Sequence, residues 1–170
     1  ELKPDFSTAH YNLGNIVQML GRLEQAEQSY ARAIALKSDY VLAHYNLGNV
    51  RQELERFDEA EDSYKKAIEL NPDFAEGHFG LGCALEELGK IDEAEERYRE
   101  ALALKPNFAE AYSNLGCIMF EREELGSALD SFEKANDLNP ELRINELRLK
   151  VTRSSIEPEK TVGGRRAVTV

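Results

Sequence analysis

A chain of 170 residues, 31% of them charged and with a net charge of −11, is too acidic for phosphate-backbone binding, which needs clustered lysine and arginine. The charge is uneven: residues 143–170 carry seven Lys/Arg against three Glu, a balance of +4 that leaves −15 on residues 1–142. No apolar run approaches the roughly eighteen residues of a membrane-spanning helix, so neither nucleic acid nor membrane is an expected partner.

The opening Glu1-Leu2-Lys3-Pro4-Asp5-Phe6 matches Glu69-Leu70-Asn71-Pro72-Asp73-Phe74. Residues 1–6 therefore read as the end of a preceding unit, and the chain as a fragment of a longer array. Next comes Ala9-His10-Tyr11-Asn12-Leu13-Gly14-Asn15, which returns as Ala43-His44-Tyr45-Asn46-Leu47-Gly48-Asn49. Looser copies are Gly77-His78-Phe79-Gly80-Leu81-Gly82 and Ala111-Tyr112-Ser113-Asn114-Leu115-Gly116, so the Leu-Gly pair recurs every 34 residues. The same step links Ala26, Ala60, Ala94 and Ala128, and also Tyr30, Tyr64, Tyr98 and Phe132. A fixed period of this length means stacked units, each burying its apolar face on its neighbour.

First helices are expected near 7–20, 41–54, 75–88 and 109–122, and second helices near 23–36, 57–70, 91–104 and 125–138. His10, Leu13, Gly14, Val17 and Leu20 keep the spacing of a buried helical stripe. Glycine inside a helix is unfavourable by roughly 0.5–1 kcal/mol, so Gly14 and its copies imply a close helix–helix approach beside Ala26 and its copies. Short turns carry Gly21 and Gly89, or Glu55 and Glu123 in the same place. Pro72, Pro106 and Pro140 mark unit junctions, and Phe6, Tyr40, Phe74, Phe108 and Leu142 are expected to wedge between successive units.

On these residues the chain resembles the tetratricopeptide repeat (TPR) family over roughly residues 7–142. The resemblance implies an all-α fold: a right-handed α-α superhelix, or solenoid, of four 34-residue helix-turn-helix repeats plus a C-terminal capping helix. The repeats would be 7–40, 41–74, 75–108 and 109–142, with the capping helix at 143–153 and a flexible tail or linker at 154–170. The capping helix lacks Leu-Gly, and its Leu142, Leu147, Leu149 and Val151 would cover the last apolar face.

If first helices line the concave wall, as in the family, the groove carries Tyr11, Asn12, Asn15, Tyr45, Asn46, Asn49, Phe79, Glu86 and Asn114. Asparagine is a poor helix former, whereas its amide offers two donors and a double acceptor for an extended peptide backbone. Glycosyltransferase members of the family line their groove with asparagines, and Asn12, Asn46 and Asn114 match that position while Gly80 interrupts it. Members that clamp chaperone carboxylates need cations where Tyr11, Glu76 and Gly80 stand, so that function is rejected. Glu76, Glu86, Glu87, Glu110 and Glu121 favour a basic peptide partner instead. The basic segment Val162–Val170 suggests self-association, lying in the groove of another copy.

No catalytic constellation, cofactor loop or metal site is expected. His10, His44 and His78 share one repeat position on adjacent helices, about 8–10 Å apart, too far for a common zinc at about 2.0–2.1 Å. The same spacing argues against a Cys83–Cys117 disulfide, which needs Cα atoms within about 7 Å, and free thiols suit a cytoplasmic setting. The expected function is a non-catalytic protein–protein interaction scaffold. The alternatives are a substrate-recognition arm of a larger glycosyl- or sulfotransferase, or a homotypic assembly module.

Overall fold

The computed structural model describes residues 6–141 and 143–156. Glu1–Asp5, the wedge expected of Leu142 and residues 157–170, with the self-association segment, lie outside them. Nine helices and no strand occur among the described residues: α1 (Phe6–Met19), α2 (Leu23–Leu36), α3 (Val41–Glu53), α4 (Phe57–Leu70), α5 (Ala75–Glu87), α6 (Ile91–Leu104), α7 (Ala109–Glu121), α8 (Leu125–Leu138) and α9 (Arg143–Ile156). The second helices α2, α4, α6 and α8 fall on the expected ranges. The chain divides into two compact units, Glu1–Ala111 and Tyr112–Val170.

In the first unit, helical hairpins pack in sequence, α1 on α2, α2 on α3, and onward to α6. What sets the closeness of each hairpin is a ring. Tyr30, Tyr64 and Tyr98 are at most 1% exposed, and each packs against the helical glycine of its own repeat. A Cβ added at Gly14, Gly48 or Gly82 would stand 2.5, 2.7 or 2.6 Å from the ring's Cε1. The expected close approach is therefore found, with an aromatic ring as the partner rather than the alanines alone. Tyr64 is also met from the other side by Gly80 of the next repeat, where an added Cβ would stand 2.7 Å from the ring.

The leucine of the Leu-Gly pair shows what stacking contributes. Leu47 and Leu81 are 7% and 4% exposed, whereas Leu13 is 47% exposed and Leu20 62%. Leu47 and Val50 join a cluster with Val17, Ala26 and Tyr30 of the preceding repeat. On α1 the same stripe has no described helix to cover it, which corrects the expectation that Leu13 and Leu20 are buried.

Turns and junctions follow from local chemistry. Gly21, Glu55, Gly89 and Glu123 all have positive φ, between 58° and 73°. A left-handed conformation costs an L-residue roughly 1–2 kcal/mol, so Glu55→Gly is expected to stabilise the fold by up to about 1 kcal/mol. A rise in thermal midpoint by circular dichroism checks it; a fall would contradict it. At the junctions, His44 Nε2 donates to Ser38 O and His78 Nε2 to Pro72 O, each at 2.9 Å. These histidines tie the turn that precedes their own helix.

In the second unit, Phe132 takes the tyrosine place, 1% exposed, against Gly116, where an added Cβ would meet its ring at 2.7 Å. Helix α9 packs on α8 and keeps the 34-residue register: Leu149, 7% exposed, stands where Leu115 stands in α7. Lys150 occupies the glycine place, so no ring can lie on α9 as Phe132 lies on α7. The helix runs to Ile156, three residues past the expected cap. In its last turns Ser154 and Ser155 bond back to Lys150 O and Val151 O at 2.9 and 3.0 Å.

Candidate functional site

The residues expected to line a groove do gather on the first helices, and most are engaged within the protein. Tyr11 packs between Tyr30 and Tyr40, with ring centroids 5.9 and 5.0 Å away. Tyr45 sits between Tyr64 and Phe74 at 5.8 and 5.0 Å, and Phe79 between Tyr98 and Phe108 at 5.7 and 4.7 Å. These half-buried rings knit the hairpin to the junction wedge, as expected for Tyr40, Phe74 and Phe108, and present only their remaining edges outward. Phe108 closes a further cluster with Ala101 and Ala111.

The amides are held by the buried tyrosines. Tyr30 Oη lies 2.8 Å from both Asn15 Oδ1 and Gln18 Oε1. Tyr64 Oη lies 2.8 Å from Asn49 Oδ1 and 3.1 Å from Gln52 Oε1. Burial pushes the Tyr30 hydroxyl up to about 12 and also raises Tyr64 and Tyr98, so all three remain donors at neutral pH. The single proton of the Tyr30 and Tyr64 hydroxyls is shared between an asparagine and a glutamine oxygen, which holds Asn15 and Asn49 through Oδ1, while Tyr98 donates to Glu86. Asn46 forms an inter-repeat tie: its Nδ2 donates to Asn15 Oδ1 at 2.9 Å, with Tyr11 Oη at 3.3 Å. Gln18 Nε2 donates to Glu53 Oε1 at 2.6 Å across the same two helices. Asn12 is exposed, and Asn114, in the second unit, is half-buried.

Gly80 breaks the asparagine ladder for a packing reason. It admits the Tyr64 ring between repeats and brings α3 and α5 into contact. The acidic half is also less free than its sequence suggests. Glu86 Oε2 accepts from Tyr98 Oη at 2.6 Å. Glu76 pairs with Lys105 at 2.7 Å, and that ammonium holds its carboxyl below the ordinary value. Glu53, Glu87, Glu110 and Glu121 are exposed.

Sequence reasoning missed the tyrosine hydroxyls as the organisers of the face, although a signal was present. Asn15/Gln18 and Asn49/Gln52 accompany Tyr30 and Tyr64, whereas Cys117/Phe120 accompany Phe132. Where the hydroxyl disappears, so do both acceptors, as buried polar groups require.

Behind this face, carboxylates of the second helices hold repeat to repeat. Glu27 pairs with Arg56 and, at 3.2 Å, with Arg51. Glu61 lies 2.5 Å from Lys65 and 2.8 Å from Lys90. Burial pushes both carboxyls upward, but their cations outweigh it and hold them below the ordinary 4.5. Such groups stabilise the fold fully above their unfolded pKa, and that stability is lost as pH falls through the lower folded value. The thermal midpoint should therefore drop as pH falls from 4.5 toward the folded values, and Glu27→Gln/Glu61→Gln should flatten the drop. An unchanged slope in the variant would contradict it.

Neither Cys83 nor Cys117 is in a disulfide. Among the described residues, no group of three metal-ligating side chains occurs and no helix is long and apolar enough to cross a membrane.

Family profiles described as tetratricopeptide repeat match residues 41–74, 63–96 and 109–142, and one described as TPR repeat matches 19–54 and 84–121. Together they span residues 19–142. Comparison with curated proteins gives no match. Among solved structures, the chain is similar to a MamA crystal structure at 25% identity and TM-score 0.75, covering 81% of each chain. A second, MamA 41-end from Desulfovibrio magneticus RS-1, is 20% identical with TM-score 0.81, covering 95% of this chain and 90% of that one. At 20% identity the likeness concerns the fold alone.

Proposed function

The chain belongs to the tetratricopeptide repeat family, a protein-interaction scaffold fold, and we propose that it holds an extended peptide segment along its first helices, without catalysis. The observation that supports this reading is the fixing of Asn15 and Asn49. Their oxygens accept from the Tyr30 and Tyr64 hydroxyls, which orients two Nδ2 groups at one register position on successive first helices; that of Asn49 also bonds the Tyr45 hydroxyl, so one of its two N–H donors is offered to a ligand. Donors oriented in advance lose little freedom on binding, so they favour a peptide's carbonyls without regard to its side chains. Exposed Asn12 adds a further amide, and the edges of Tyr11, Tyr45 and Phe79 add apolar contact. Exposed Glu53 and Glu87 suit a partner with basic residues. Cysteines outside any disulfide suit a reducing, cytoplasmic setting.

A paired capture from native lysate, read by mass spectrometry, tests the role. One bait is wild type and the other carries Asn12→Ala and Asn49→Asp, with circular dichroism confirming both folds. Asn49→Asp keeps an oxygen to accept from the buried Tyr64 hydroxyl and removes the Nδ2 donor, and Asn46 is left in place because it ties α3 to α1. Proteins held by wild type and lost by the variant are the expected result. Identical sets on both baits would place binding elsewhere.

A further inference from the structure

The first helix differs from its copies in carrying no charge. α1 contains no Asp, Glu, Lys or Arg, whereas every other described helix has at least one. Its outward side is apolar and open: Phe6, Leu13, Ile16, Met19 and Leu20 are between 47% and 87% exposed, and Ala9 is exposed beside them. Leu20 stays on the helical path, its N–H donating to Ile16 O at 3.2 Å. A contiguous apolar patch of this kind marks a contact surface.

Repeat stacking accounts for only part of it. The copies of Leu13 and Ile16 are Leu47 and Val50, then Leu81 and Ala84, all at most 7% exposed. There the second helix of the preceding repeat packs on the first helix of the next. Met19 is different, because its copies are Glu53, Glu87 and Glu121, all exposed. A stacked second helix leaves that position in water, so a methionine there calls for an occupant that reaches further across α1.

The stripe is also complementary to itself. Ala9, Leu13, Ile16 and Leu20 follow steps of 4, 3 and 4 residues, which read the same in both directions. An antiparallel copy therefore sets Leu13 against the second copy's Ile16, and Ala9 against its Leu20, a small side chain facing a large one. Alternating three- and four-residue steps are those of two helices meeting along a seam, and a patch that meets itself closes at two copies. A chain of net charge −11 repels its own kind, and the uncharged helix is where that repulsion is least.

We propose that α1 is a homodimer contact: two copies of this chain pair antiparallel through Ala9, Leu13, Ile16 and Leu20, with Phe6 and Met19 flanking the seam. The contact lies wholly in the first unit, leaves Tyr11 and Asn15 outside it, and does not rest on the peptide-binding reading. One pair of helices covers less than the roughly 800 Å² per partner of a standard interface, so the dimer dissociates in the micromolar range.

Sedimentation equilibrium of the full chain tests it, with the mass expected to rise from one chain toward two as concentration increases. Leu13→Glu and Ile16→Lys each place a charge in the seam and should weaken association by about tenfold or more, with circular dichroism confirming both folds. Mixed in equal amounts, the two variants should pair again, because the Leu13→Glu carboxylate then faces the Ile16→Lys ammonium in one layer. Leu20→Glu replaces a variant that unfolds, with loss of association again expected. Wild type that stays monomeric, association that the variants leave unchanged, or a mixture no heavier than its parts overturns the proposal. A monomer that captures a Leu23–Leu36 peptide would instead assign the stripe to a second helix, in the way α2 packs on α3.

Discussion

Tyr64→Ala is expected to cost about 3–5 kcal/mol, the range for truncating a buried aromatic side chain. The ring is 1% exposed and stands between Gly48 and Gly80, where added Cβ atoms would each come within 2.7 Å. Removing it opens a void between two helices of one repeat and the first helix of the next, so both the hairpin and the stacking suffer. Tyr64→Phe separates the ring from its hydroxyl and should cost only about 0.5–1.5 kcal/mol, the net value of a typical hydrogen bond. Urea denaturation followed by circular dichroism reads both. A loss below about 0.5 kcal/mol for the alanine variant, typical of surface positions, would mean that the ring is not the keystone of the hairpin.

The converse change, Gly48→Leu, should destabilise by about 1–3 kcal/mol through overpacking. Its Cβ alone would stand 2.7 Å from Tyr64 Cε1, with Cδ1 at 2.8 Å. The ring cannot retreat, because Gly80 backs its other side. Combining Gly48→Leu with Tyr64→Ala should therefore cost less than the sum of the two, by roughly 0.5–3 kcal/mol of coupling. Strict additivity would show that the glycine is required for some reason other than this ring.

Much of this architecture is legible in the amino-acid sequence, because a 34-residue period repeats every local choice several times. The second helices, the left-handed turn positions and the wedges at Tyr40, Phe74 and Phe108 all follow from it. A period says where residues recur, however, and not which of them meet. Gly14, Gly48 and Gly82 announce a close approach without revealing that Tyr30, Tyr64 and Tyr98 are the groups approaching. Leu13 and Leu47 are identical in pattern and differ severalfold in exposure, 47% against 7%, because burial here depends on the neighbouring repeat.

The asparagines show the same limit from the functional side. Asn15, Asn46 and Asn49 form a row in sequence, and their cost in helix propensity points to some compensating use. Part of that use is internal: Tyr30 and Tyr64 donate to Asn15 and Asn49, and Asn46 ties α3 to α1. Gly80, read as a gap in a binding ladder, is a seat for a ring. Only the tie between hydroxyl and acceptors was open to inference, from the joint change to Phe132, Cys117 and Phe120 in the fourth repeat.

The peptide proposed to lie on the first-helix face would meet amides that the tyrosines have already positioned. Side-chain NH₂ resonances of Asn12, Asn15 and Asn49 report on it directly, in a titration of the ¹⁵N-labelled chain with a selected extended peptide. Saturable shifts of all three are expected, with those of Asn15 and Asn49 attenuated in Tyr30→Phe and Tyr64→Phe respectively. Saturable binding that leaves these resonances still and shifts residues of α2, α4 and α6 instead would contradict it.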